Sequence, residues 1–159
     1  MGADAVGLRP VADADLEIFY GHQCDPEAVA MAMFPSRDRD AFFRHWRTTT
    51  LARPDARAMT VTYGDAVAGN ILSWATDEGV FVGYWIGRDY WGKGVATAAL
   101  QLYLREHEPR RPLHAHVVAT NVGSIRVLEK CGFELVERTR ELDPTFEVEV
   151  EELLMTYEG

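Results

Sequence analysis

The stretch Tyr84-Trp85-Ile86-Gly87-Arg88-Asp89-Tyr90-Trp91-Gly92-Lys93-Gly94-Val95-Ala96-Thr97 decides the reading of this chain. An apolar strand runs into a glycine-bearing loop, and a helix starts at its end. Small residues at 92, 94 and 96 let the backbone approach a ligand closely. A helix start offers unpaired N–H groups and the positive end of the helix dipole, so the pattern predicts a phosphate site. Lys93 and Arg88 add positive charge beside it. The pattern is not a dinucleotide fingerprint, because Thr97 stands where Gly or Ala is needed. The acid expected about 20 residues on is also missing, that region reading Leu113-His114-Ala115. The order and spacing of a P-loop are absent too. Taken alone, the two glycines are also compatible with a helix start that binds nothing.

A second segment, Asn121-Val122-Gly123-Ser124-Ile125-Arg126-Val127-Leu128-Glu129-Lys130-Cys131-Gly132-Phe133, follows a strand directly. It predicts a helix over 121–131, with Gly132 as its left-handed terminator. Outward from these two segments the periodicity alternates between helix and strand. Strands are expected at 6–10, 58–63, 67–74, 80–86, 113–119, 133–140 and 148–157. Asp13 reads as the N-cap of a first helix and Asp25-Pro26-Glu27 as the start of a second, with Val29, Met31 and Met33 as its apolar positions. A third helix spans 36–51, with Phe42, Phe43 and Trp46 at helical spacing. A fourth spans 94–107, with Val95, Ala98, Ala99 and Leu102 on one face. The fold class is therefore α/β (α+β): a mixed, mostly antiparallel twisted sheet of six to seven strands flanked by helices.

The 159 residues suit one domain, expected to span 1–159. The composition, 47% hydrophobic and 26% charged, is that of a globular chain. The apolar runs are too short for a membrane span, and the N-terminus lacks the pattern of a signal peptide, so a cytoplasmic location is expected. Two cysteines make no disulfide framework, and no Cys/His spacing matches a zinc site, so no metal is expected. Cys131 falls in an apolar helical pattern and reads as a buried small hydrophobe. The net charge is −9, concentrated in residues 134–159, where nine acids face only Arg138 and Arg140. A nucleic-acid binder needs the reverse balance, so that class is disfavoured.

Together the two motifs resemble the acetyl-CoA site of the GCN5-related N-acetyltransferases. The hallmarks of that family are Arg/Gln-x-x-Gly-x-Gly/Ala, then Asn-x-x-Ser or Asn-x-x-Ala, then Gly-Phe at the next strand. Here Trp91-Gly92-Lys93-Gly94-Val95-Ala96 supplies the first. Its form resembles the branch of the ribosomal-protein alanine acetyltransferases. Trp91 replaces the usual Arg or Gln, which leaves the backbone cradle intact and says little about a side-chain contact at 91.

The resemblance implies a cleft between the fourth and fifth strands that holds the pantetheine arm of acetyl-CoA against the backbone of Trp85, Ile86 and Gly87. Pyrophosphate would lie on Gly92, Lys93, Gly94, Val95, Ala96 and Thr97, with Arg88, Arg126 or Lys130 at the outer phosphates. Asn121 and Ser124 would contact the cofactor arm. The reaction would be direct attack of an amine on the thioester, with a protein or peptide α-amine weakly favoured as acceptor. Homodimers are common in the superfamily.

Attack on a thioester needs a neutral amine, a donor to the carbonyl oxygen and a hydrogen bond or proton for the departing thiolate. Ile86 N–H is the natural first donor. Ser124 is a candidate second donor, and is equally read as part of a cap with Asn121. His116 and His114, Asp77 or Glu78, and Tyr84 are the candidate bases. Asn70, Ser73, Trp74, Phe34 and Trp46 are candidate lining of the acceptor pocket. An acyl-CoA-binding sensor without turnover is the alternative function, and an interaction domain using the acidic C-terminal strands is a third.

Overall fold

The computed structural model describes residues 5–33, 36–144 and 146–159. Its strands are β1 (Val6–Pro10), β2 (Arg57–Tyr63), β3 (Ala66–Thr76), β4 (Gly79–Ile86), β5 (Leu113–Val118), β6 (Glu134–Asp143) and β7 (Val148–Tyr157). The helices are α1 (Asp15–Gln23), α2 (Pro26–Ala32), α3 (Arg39–His45), α4 (Val95–Glu106) and α5 (Val122–Lys130). One seven-stranded sheet has the order β1-β2-β3-β4-β5-β7-β6. All neighbours are antiparallel except β4 and β5. Among the described residues no helix is long and apolar enough to cross a membrane.

Helices cover both faces. Tyr84 reaches α5, while the next residue, Trp85, donates to a carbonyl of α1. Side chains alternate along a strand, so α5 and α1 lie on opposite faces. The larger core packs α4 and α5 on the sheet through Val95, Ala99, Leu100, Tyr103, Leu104 and Leu128. The smaller one gathers Leu16, Phe19, Phe42 and Trp46 from the N-terminal helices.

Local expectations hold where chain chemistry acts alone. Asp25 caps α2 by accepting from Glu27 N–H, with Pro26 in the first turn. Gly132 closes α5 in the left-handed region at φ 97°. Where tertiary contacts compete, four expectations are corrected. Asp13 caps nothing: α1 has no side-chain cap, and Asp13 pairs with Arg47. The buried stripe of α4 is Val95, Ala99, Leu100, Tyr103 and Leu104, with Leu102 only half-buried, because the helix presents the i+4/i+5 side to the sheet. Met31 is exposed and Met33 is the left-handed C-cap of α2, so neither belongs to the core. The third helix stops at His45 and widens into a π-turn, Trp46–Thr50, closed by Leu51 N–H on the Trp46 carbonyl at 2.9 Å.

Two buried carboxylates carry tertiary roles. Glu108 is fully buried just after α4; burial alone would raise its pKa, but hydrogen bonds from Arg110 and Ser73 outweigh that and lower it. Asp15 accepts from Arg9 at 2.7 and 2.9 Å, from Ala12 N–H at 2.8 Å and from the Thr60 hydroxyl at 2.8 Å. The Arg9 hydrogen bond leads in holding the Asp15 carboxyl down to about 2. A depressed carboxylate stabilises the fold above its unfolded pKa and loses that contribution as pH falls through about 2. Asp15→Asn is expected to cost about 2 kcal/mol at pH 7. In urea denaturation at decreasing pH, the gap to wild type should narrow from pH 4 down.

Candidate active site

The site begins where β4 and β5 part. Their parallel pairing consists of Val80 with Leu113 and Phe81 with His114, and then stops. Beyond that point β4 stays on β3 as far as Gly69–Ile86, and β5 stays on β7 as far as Val118–Glu152. The two inner edges therefore face a gap. A cavity of about 710 Å³ fills it. The cavity is lined on the α5 face by Tyr84, Asn121, Ser124 and Leu128, and on the other face by Phe42, Trp46, Asn70, Trp74 and Phe81. It runs through the sheet.

Gly87 N–H donates to the Ala68 carbonyl at 2.8 Å, which sets the phase of the β3–β4 ladder. Counting back in twos, the backbone groups of Trp85 face Asn70 on β3, while those of Val82, Tyr84 and Ile86 face β5, Val82 at the last paired step and Tyr84 and Ile86 in the gap. The expected backbone role of Trp85 is corrected on this ground; its indole instead donates to the His22 carbonyl at 3.3 Å. Of the two gap-facing groups at Ile86, the carbonyl accepts from the Trp91 indole at 2.8 Å. The N–H remains available. The contact at Trp91 was illegible in the sequence, since nothing in the motif says where that side chain folds.

Gly92 and Gly94 sit at φ 75° and 76°. A Cβ at either would meet no atom within 4 Å, so what these positions demand is the left-handed backbone rather than room. Gly94 is the N-cap of α4 and no side chain caps that helix, so the first-turn N–H groups of Val95, Ala96 and Thr97 are claimed by no side-chain cap. The Cys131 thiol contacts the Thr97 carbonyl at 3.7 Å, which brings the C-terminal end of α5, and with it exposed Lys130, to the start of α4. Lys93 is exposed beside it, and neither Lys93, Arg126 nor Lys130 forms an ion pair among the described residues. Arg88 is different: Asp25 at 3.0 Å and Glu27 at 2.8 Å hold it on α2, so its expected reach to the phosphates is corrected. Burial pushes the Cys131 thiol up to about 11, which keeps it protonated and unreactive.

At the gap, the Tyr84 hydroxyl lies 2.8 Å from Ser124 Oγ. Burial pushes the Tyr84 phenol up to about 12, so it holds its proton, and either hydroxyl of the pair can donate to the other. Asn121 caps α5, its Oδ1 accepting from Ser124 N–H at 3.3 Å. On the opposite face His116 stacks on Phe81 at 4.9 Å, with Nδ1 3.2 Å from Glu152 Oε1. His116 lines the cavity. His114 shares its face but is taken by Thr156 Oγ1 at 2.8 Å. Asp77 and Glu78 are exposed at the turn before β4, some 20 Å along the strand from Ile86 at about 3.3 Å per residue, and are not brought to the site.

Among the acceptor candidates, Asn70, Trp74 and Trp46 line the cavity. Ser73 does not, because alternation along β3 turns it to the α4 face, where it bonds Tyr103 and Glu108. Phe34 lies outside the described residues. Thr50, in the run Thr48-Thr49-Thr50, lines the cavity with no sequence signal to single it out.

A family model, the acetyltransferase (GNAT) domain, matches residues 5–134. This chain belongs to the GNAT acetyltransferase family. Over 56 residues it is 41% identical to Probable N-acetyltransferase YjcK of Bacillus subtilis (strain 168), a match covering 33% of this chain and 31% of that protein. Its fold is that of spermidine N-acetyltransferase from Vibrio cholerae, solved with CoA and spermine (TM-score 0.83, 14% identity, 98% and 96% of the two chains). It is also that of the microcin C7 self-immunity acetyltransferase MccE, solved with acetyl-CoA and AMP (TM-score 0.78, 17% identity, 98% and 93%). In this GNAT domain, Gly94→Val puts a β-branched residue in the left-handed region, which costs about 1–2 kcal/mol and displaces the first turn of α4. Acetyl-CoA binding measured by calorimetry should weaken by more than about tenfold, with circular dichroism at 222 nm unchanged.

Proposed function

We propose that residues 1–159 form one acetyltransferase domain that moves an acetyl group from acetyl-CoA to a primary amine by direct attack on the thioester. A protein or peptide α-amine, as for the ribosomal-protein alanine acetyltransferase branch, is the favoured acceptor. The observation that carries this reading is the cavity through the sheet, with a hydroxyl pair on one face and an imidazole–carboxylate pair on the other. A direct transfer has this polarity, since the nucleophile arrives from one side and the thiol departs on the other.

The residues present fit the cofactor. Val95, Ala96 and Thr97 N–H groups, with Lys93 and Lys130, would hold its phosphates. The free edge of Tyr84 and Ile86 would hold its extended arm as an added half-strand. When bound, acetyl-CoA supplies the activated acyl group. Ile86 N–H donates to the carbonyl oxygen. Tyr84 donates to Ser124 Oγ, which turns the Ser124 hydroxyl proton toward the departing sulfur; bonds in series strengthen one another. His116, oriented by Glu152, takes a proton from the acceptor ammonium, and the neutral amine so formed attacks.

Thiol release over a panel of primary amines tests the reading, and tight acetyl-CoA binding with no release from any amine would instead leave a sensor without turnover. Ser124→Ala is expected to lower kcat by about 10–100-fold with acetyl-CoA affinity unchanged, and Tyr84→Phe to lower it by a smaller factor. Because Tyr84 keeps its proton to about 12, the wild-type kcat profile should show no loss of a tyrosine donor up to pH 10.

A further inference from the structure

The acceptor side of the cavity carries two polar side chains that the protein leaves without a partner. Asn70 is 7% exposed and Thr50 6%, and both line the cavity. Neither the Asn70 carboxamide nor the Thr50 hydroxyl makes a hydrogen bond among the described residues. Neither group is sealed away, since the unpartnered side-chain atom closed off from solvent among those residues is His22 Nδ1. Both therefore open into the cavity. Gln23, buried to a similar degree on the same wall, shows the contrast: its Nε2 donates to the Arg37 carbonyl at 3.0 Å and its Oε1 accepts from Arg37 N–H at 2.9 Å.

An amide this buried keeps only the hydration that the cavity supplies, and no protein group replaces the rest. Position 70 is opposite Trp85 in the β3–β4 ladder, adjacent to the residues whose backbone edges face the gap. The Asn70 carboxamide is thus close to where an attacking amine must pass. A carboxamide offers a planar donor and acceptor side by side, and the ligand group that satisfies both is another amide that carries an N–H. The walls beside it, Phe42, Trp46, Trp74 and Phe81, suit a flat apolar body. Charges on the lining have both signs, Arg37 and Arg53 against Glu141, Asp143 and Glu152, which is not the wall a polycation selects.

We propose that Asn70, with Thr50, selects the acceptor: an amine with an amide group a few bonds from its nucleophilic nitrogen, in preference to an alkylamine or polyamine of similar size without one. The proposal rests on the acetyl-transfer reading above and adds what that reading leaves open. A site built to hydrogen-bond a substrate group discriminates strongly against the analogue that lacks it.

Tryptophanamide and tryptamine form the test pair, since they differ in structure by the carboxamide alone; because the carboxamide also lowers the pKa of the neighbouring amine, kcat/KM is referred to the neutral amine of each. Wild type is expected to favour tryptophanamide in kcat/KM by about tenfold or more. Asn70→Leu should lose about tenfold or more on tryptophanamide, and stay within about threefold on tryptamine. Its acetyl-CoA affinity should be unchanged and its Tm equal or higher, since an unpaired buried amide is replaced by an apolar side chain of similar volume. A structural role for Asn70 predicts the opposite, a lower Tm with equal losses on both amines. Equal use of the two amines by wild type overturns the proposal, as does an equal loss on both in the variant. Should Asn70→Leu fail to fold, Thr50→Val is read by the same comparison. If neither amine releases thiol, the acetyl-transfer reading is decided separately by the amine panel above. Calorimetric binding of the two amines to the CoA-loaded protein then decides the selectivity claim. Preference for tryptophanamide that Asn70→Leu abolishes upholds it, and equal or absent binding overturns it.

Discussion

Everything in this site depends on two strands that stop pairing. β4 and β5 share two residue pairs and then separate, each held by its outer neighbour, β3 on one side and β7 on the other. A strand anchored along one edge stays extended while the other edge opens. The opening leaves the backbone groups of Tyr84 and the N–H of Ile86 without a ladder partner, and unpaired backbone polar groups demand one. An extended ligand arm with amide groups meets that demand. The gap also connects the two faces of the sheet, which lets one cavity take two substrates from opposite sides.

The loop after β4 solves a related problem with local means. Two left-handed glycines turn the chain sharply enough for α4 to begin without a side-chain cap, and its first N–H groups are left for an anion. Trp91 ties the turn back to the end of β4 through the Ile86 carbonyl. That bond matters for the gap as well, because it uses the carbonyl at Ile86 and leaves the N–H. The positive charge beside the helix start is thinner than a count of nearby basic residues suggests. Arg88 is neutralised by the first turn of α2 and its cap, which leaves the two lysines.

The two faces of the sheet divide the chemistry. The α5 face holds hydroxyls that keep their protons, Ser124 against a tyrosine too buried to ionise. The N-terminal helices build the other face from aromatic side chains with a few polar groups among them. Gln23 is consumed in pinning the chain at Arg37, whereas Asn70 and Thr50 are not consumed by the protein at all. Both are largely buried, line the cavity and are left open to a ligand there.

The order of strands and helices, the cap at Asp25, the terminator at Gly132 and the glycines before α4 were all legible in the chain itself. Each rests on forces acting within a few residues: side-chain periodicity, capping hydrogen bonds, and the freedom of glycine at positive φ. The pair of motifs at 84–97 and 121–133 likewise depends on local backbone chemistry, which is why it could be placed before any coordinates. Partner choice among competing groups could not. Asp15 rather than Asp13 is the structural carboxylate because Arg9 and Thr60 converge on it from β1 and β2. Arg88 is drawn off by α2, and Tyr84 keeps its proton through burial against α5. Ser73 and Asn70 were indistinguishable as neighbours on one strand. Alternation sent one into a satisfied buried network and the other into the cavity, and only the packing of helices on both faces decided which face was which.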